Sequence, residues 1–157
     1  MKKLKVGLFS FTCDEGCSIV FLEILNKKFF EWKDVLEFKH CRILQSKSEI
    51  KDLDVAFIEG AISTYREVEK LNEIRNNTKK LVAIGSCAIA GAPSNIRNFL
   101  DKEKTEEIKP ILEKFGHREK VSSVSELVTV DESVPGCPME ETKFVEIMEK
   151  YIKEFGV

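Results

Sequence analysis

The stretch Lys5-Val6-Gly7-Leu8-Phe9-Ser10-Phe11-Thr12-Cys13-Asp14-Glu15-Gly16-Cys17-Ser18 passes from an apolar strand pattern, through a cysteine-bearing loop, into a helical pattern. Strand, loop and helix in that order open an α/β sheet, whose sites lie at the carboxyl ends of its strands. Cys13 and Cys17 are therefore expected at that edge. Ser18 is placed to cap a helix running from Ile19 to Phe30. The apolar residues of that helix, Val20, Leu25, Phe29 and Phe30 among them, cover more than one face. One stripe would serve the sheet, so the remainder is expected to form an exposed patch that an obligate partner covers.

Strand-like and helix-like runs alternate along the rest of the chain, with no linker, repeat or low-complexity segment between them, which argues for a parallel sheet. Leu36 to Ile43 alternates like an edge strand. Asp54-Val55-Ala56-Phe57-Ile58-Glu59-Gly60 reads as a buried third strand, and Thr64 with Glu67 forms a capping box for the next helix. Leu81-Val82-Ala83-Ile84-Gly85 is the fourth strand. Helical tendency from Asn95 to Gly116 is expected to break at Pro110 and to stop near Gly116. A fifth strand is predicted near Leu127 to Val130, before a closing helix marked by Phe144, Ile147, Tyr151 and Phe155. The fold expected is flavodoxin-like, a three-layer α/β/α arrangement around a mainly parallel five-stranded sheet, with residues 1–157 as one domain.

Composition narrows the function. Of the 157 residues, 43% are hydrophobic and 33% charged, and the net charge of -2 gives no electrostatic reason to expect nucleic acid as a partner. Met1-Lys2-Lys3-Leu4-Lys5 leads straight into a strand pattern, and no run approaches the roughly 18 apolar residues of a membrane span. A cytoplasmic protein with no direct membrane insertion is expected. In a reducing compartment the 5 cysteines are better read as metal ligands or reactive thiols than as disulfides.

Two of those cysteines, Cys87 in Gly85-Ser86-Cys87-Ala88 and Cys137 in Val134-Pro135-Gly136-Cys137-Pro138, each follow a strand-like run, as Cys13 and Cys17 do. Four thiols on one sheet edge make a set of soft ligands suited to an iron-sulfur cluster or to zinc. A structural zinc site usually draws two close pairs of cysteines, whereas here one loose pair joins two singletons, which leans towards a cluster. Buried cysteines are also common as small apolar residues, and Cys41, with no motif around it, is read that way. His40 and His117 are read as surface residues. Glu59 is either a group that tunes the site or part of a turn.

Gly16-Cys17-Ser18, Glu59-Gly60-Ala61, Gly85-Ser86-Cys87-Ala88-Ile89-Ala90-Gly91 and Pro135-Gly136-Cys137-Pro138 together resemble the small subunits of nickel-iron hydrogenases and the related 20-kDa-type subunit of NADH:quinone oxidoreductases. The resemblance spans nearly the whole chain. It implies one 4Fe-4S cluster held by Cys13, Cys17, Cys87 and Cys137, beside the active-site metals of a large nickel-iron catalytic subunit. Flavin or iron-sulfur electron-transfer subunits are implied as further partners. The separation of Cys13 from Cys17 favours the hydrogenase branch, since the quinone-reductase branch usually carries adjacent cysteines there. With the chain ending in its closing helix and no cysteines left over, the short, single-cluster type is the closer likeness.

In the family motif the first cysteine falls on Asp14, with Cys13 one residue early. A thiolate suits cluster iron better, so Cys13 is favoured as ligand, with Asp14 as the alternative. Met139 and Ala92 stand where relatives often have proline and glycine, changes of loop geometry that remove no ligand. The chain's expected role is electron transfer, with hydrogen activation left to the partner. Alternatives are the cluster-bearing subunit of a quinone-oxidoreductase-like complex, or a flavin-binding flavodoxin-like protein, whose phosphate Asp14 and Glu15 would repel. A phospho-accepting receiver would need a lysine where Gly136 stands.

Overall fold

The computed structural model describes residues 2–157. Its main sheet is built from β1 (Leu4–Ser10), β2 (Leu36–Cys41), β3 (Leu53–Glu59), β5 (Thr78–Ile84) and β7 (Glu132–Val134). The order is β2-β1-β3-β5-β7 and every pairing is parallel, the flavodoxin-like arrangement expected. A small antiparallel pair, β4 (Ile62–Thr64) with β6 (His117–Ser122), lies outside it and was not foreseen.

Helices α1 (Gly16–Lys27) and α6 (Glu141–Glu154) cover one face of the sheet. Phe21 and Phe144 interlock there edge to face, with ring centres 5.5 Å apart, and Phe144 also meets Phe57. On the other face α3 (Tyr65–Asn76) and α4 (Gly85–Ala90) bring Leu71, Ile74 and Ala88 against Phe9, Ala56 and Ile58. With core on both sides, β3 is buried at all its positions, as a central parallel strand must be. No helix among the described residues is long and apolar enough to cross a membrane.

Several expectations are corrected. The first helix begins at Gly16, three residues before Ile19, and Ser18 is not its cap. The N–H groups of Cys17 and Ser18 in its first turn are satisfied from the neighbouring strand by Glu59, a long-range cap that no local pattern announces. The helix ends at Lys27, and Phe29–Trp32 forms a separate turn, α2. Val20 and Leu25 pack inward, so the exposed apolar residues of this region are Ile19, Phe29 and Phe30. The second strand stops at Cys41.

The fifth strand lies at Glu132–Val134, not at Leu127 to Val130. Asp131 explains the delay. Its N–H donates to the Leu81 carbonyl at 2.9 Å while its carboxylate accepts the Leu81 N–H at 2.8 Å and holds Arg75, so residue 131 docks on β5 partly through its side chain and regular pairing runs from residue 132. Pro110 does not break α5 (Lys102–Lys114). That helix buries no residue, so the carbonyl that loses its N–H partner is free to meet water. The Thr64 and Glu67 capping box forms as expected. Gly116, at φ 67, follows the α5 end.

His40 is a further correction. It is 5% exposed, and its ring stacks on Phe9 with centres 4.2 Å apart. Burial, aided by the positive charges of Lys70 and Arg42, lowers its proton affinity to about 4. An unfolded imidazole titrates near 6.5, so between those values the unfolded chain binds the extra proton and stability falls as pH drops. From pH 7 to pH 5 this should cost about 2 kcal/mol. His40→Phe, which keeps a ring on Phe9, should flatten that part of the profile. Urea unfolding at the two pH values checks it, and an equal pH loss in the variant would remove His40 as the cause.

Candidate functional site

The carboxyl ends of β1, β3 and β5 meet the loop after β7 in a small cleft lined by Cys13, Cys17, Cys87 and Cys137 together with Glu59 and Gly85. Cys41 is not among its residues. It is fully buried in the core between α1 and the sheet. The four cysteines reach the cleft from different elements. Cys13 lies in the β1–α1 loop, Cys17 in the first turn of α1, Cys87 in α4 and Cys137 in the loop before α6.

Glu59 fixes the first of these elements. The carboxylate, 1% exposed at the end of β3, accepts the backbone N–H groups of Cys17 at 2.9 Å and Ser18 at 3.3 Å. It also accepts the hydroxyls of Ser10 and Ser18. A negative charge at a helix N-terminus is favourable, and here it sets where Cys17 points. The loop before the helix turns on Asp14, whose Oδ1 accepts the Gly16 N–H at 3.1 Å, while Glu15 takes a left-handed φ of 61. Asp14 thus has a role in the turn besides lining the cleft. The loop is tied to β3 and β4 by a two-way backbone pairing of Thr12 with Ala61.

The other thiols are placed by similar ties. Ser94 sits 3.4 Å from the Cys87 sulfur and donates to the Thr12 carbonyl, joining α4 to the first loop. The Ser86 N–H and hydroxyl both donate to the Gly136 carbonyl, which links the Cys87 and Cys137 loops. Two backbone N–H groups aim at sulfur, Met139 at Cys17 (3.3 Å) and Glu15 at Cys13 (3.4 Å). Gly85 has φ +81, and a Cβ there would lie 2.5 Å from the Cys17 sulfur. Any other residue would clash.

Burial pushes the Cys13 thiol up to about 12 and the Cys17 thiol up to about 11, and the Glu59 charge adds to both. At neutral pH such thiols stay protonated and are poor nucleophiles. A reactive-cysteine role is disfavoured. Loss of their protons needs a cation in the cleft, which is how metal binding and thiol ionisation are coupled. Among the described residues no three histidine, cysteine, aspartate or glutamate side chains lie close enough together to hold a single metal ion. The thiols line the cleft without meeting at one point.

Sequence reasoning found the four cysteines and Glu59 but missed Ser10, Ser18 and Ser94 as supports. Serines carry no spacing signal, and their partners lie far away in the chain. His117, in β6, is partly buried and takes no part in the cleft.

The family described as NADH ubiquinone oxidoreductase, 20 kDa subunit, matches residues 13–151. Sulfhydrogenase 2 subunit delta of Pyrococcus furiosus is 28% identical over 151 residues, covering 92% of this chain and 60% of that protein. A vhu-type F420-non-reducing hydrogenase subunit of Methanocaldococcus jannaschii is 29% identical over 154 residues, covering 86% and 51%. The chain therefore spans half to three-fifths of the length of these relatives. Among solved structures, a chain of an NAD+-reducing [NiFe]-hydrogenase in the H2-reduced state superposes with a TM-score of 0.82 at 24% identity. That match covers 98% of this chain and 93% of the other. A reduced, active Ni-Fe-Se hydrogenase from Desulfomicrobium baculatum gives 0.64 at 17%, covering 94% and 61%.

Proposed function

The chain belongs to the NADH ubiquinone oxidoreductase 20 kDa subunit family, and on that premise we propose that it is the electron-transfer small subunit of a cytoplasmic nickel-iron hydrogenase. The observation that carries this reading is the cleft, which four cysteines from separate elements line while the fifth lies apart in the core. The relatives' own names, a sulfhydrogenase subunit and F420-non-reducing hydrogenase subunits, favour hydrogen chemistry over quinone chemistry.

Cys13, Cys17, Cys87 and Cys137 would hold one 4Fe-4S cluster. The donor set fits, because a cubane takes one thiolate at each of four irons, whereas a single zinc ion needs its four ligands around one point. When bound, the cluster supplies reversible one-electron storage. The chain's own share is positional. Gly85 leaves room beside the Cys17 sulfur, and the Met139 and Glu15 N–H groups are aimed to stabilise thiolate charge. Glu59 anchors the helix that carries Cys17.

Hydrogen activation would belong to a large nickel-iron subunit docked over this edge, with flavin or iron-sulfur subunits taking the electrons onward. The test is the metal itself. Protein purified without oxygen should be brown and carry about four irons per chain. On reduction it should give a low-temperature paramagnetic resonance signal. Stoichiometric zinc with no visible absorption overturns the reading.

A further inference from the structure

A second crevice opens at the same sheet edge, and its origin is topological. The chain joins β2 to β3 through residues 42–52, which contain no helix. Strand-helix alternation would have put one over β2 on the α3 side of the sheet. Two adjoining pockets of about 370 and 430 Å³ lie there and share His40, Arg42 and Lys70. Together they are of the size that holds small ligands.

The two pockets differ in chemistry. One is rich in hydrogen-bond donors, with Arg42, Gln45, Ser46, Ser48 and Lys70 around it and no carboxylate. The other is half apolar, with Leu8, Phe9 and Ile43 in its wall beside Ser10 and Glu15. Lys39, beside His40 in β2, is neutralised by Glu37. Among the described residues Arg42 and Lys70 have no such carboxylate partner. Between them the His40 ring, 5% exposed, keeps a buried Nδ1 that no group among the described residues satisfies. A buried ring nitrogen without a partner is uncommon enough to need a reason.

We propose that this crevice binds a phosphorylated small molecule, its phosphate among Arg42, Lys70, Ser46 and Ser48 and its apolar body against the exposed Ile43. A phosphate offers more acceptor oxygens and more charge than a carboxylate, and the donor-rich end presents two cations, two hydroxyls and an amide. None of these residues lines the cysteine cleft, so the inference stands or falls independently of the hydrogenase reading.

The test is calorimetric titration of the purified chain with phenyl phosphate and with inorganic phosphate at constant ionic strength. Phenyl phosphate should bind saturably and more tightly than inorganic phosphate. Arg42→Gln and Lys70→Gln should each weaken it roughly ten- to hundredfold, the loss expected for one charge-assisted contact. Lys102→Gln, an equal loss of charge on α5, should change nothing. Equal affinity for the two probes, or no difference among the variants, overturns the proposal. So does a crevice that ignores both probes while Arg42→Glu abolishes association with a partner subunit, since the occupant is then a protein carboxylate.

Discussion

Serine in place of Cys17, Cys87 or Cys137 should reduce iron from about four per chain to below about one. A hydroxyl is hard and weakly acidic where a thiolate is soft, so it cannot replace the sulfur at iron. Cys41→Ser serves as the contrast. Its sulfur lies in the core, fully buried, so the new hydroxyl should cost about 1–3 kcal/mol of stability while iron content stays unchanged. Cys13→Ser should behave like the three ligand variants, and Asp14→Ala should keep the iron, because Asp14 already serves the turn through the Gly16 N–H. Full iron retention in Cys13→Ser, with loss in Asp14→Ala, would exchange the two assignments. Iron analysis and paramagnetic resonance of the reduced protein read every variant in this series.

Glu59→Ala is the other substitution with a large expected effect. It removes the acceptor of four groups at once, the N–H of Cys17, the N–H of Ser18 and the hydroxyls of Ser10 and Ser18. Two of these are backbone groups in the first turn of a helix, buried where water does not readily replace the lost oxygen. Leaving them unpaired should cost about 3–5 kcal/mol, enough to unfold a marginal protein. Glu59→Gln keeps one acceptor oxygen, and the serine hydroxyls can turn to accept from its amide, so its loss should be about 1–2 kcal/mol. Urea unfolding ranks the pair. An alanine variant as stable as the parent would show that Glu59 does not hold the helix.

How far the sequence could be read follows from the range of the forces involved. The strands β1, β3 and β5 were legible because burial on both faces writes unbroken apolar runs, and α3 was legible because its cap lies within four residues. The start of α1 was not, since its cap is a carboxylate 42 positions downstream. The last strand was displaced for a like reason. Leu127 and Val128 look like a strand but pack as a turn on the α3 side, and contact with β5 begins only at Asp131, whose N–H and carboxylate both bond Leu81. His40 misled because one histidine among charged neighbours says nothing of what covers it.

The cysteine set was legible as four residues after strands, yet what positions them, Glu59, Ser94 and the Met139 N–H, carries no motif. Of the apolar residues read on the first helix, Phe29 and Phe30 are exposed while Val20 and Leu25 pack inward. The break at Lys28 turns Phe29 and Phe30 outward, and it depends on backbone angles that composition does not reveal.

The bond from the Met139 N–H to the Cys17 sulfur closes the cleft across 122 residues of chain. During synthesis the first two cysteines emerge early and the last loop emerges late. At about 5–20 residues per second the interval is on the order of ten seconds. Throughout it, a nascent chain exposes Cys13 and Cys17 with no closed cleft behind them. On the proposed reading, a cluster could therefore be seated in the closed cleft only after residue 139 has emerged, and the early thiols would have to stay reduced until then.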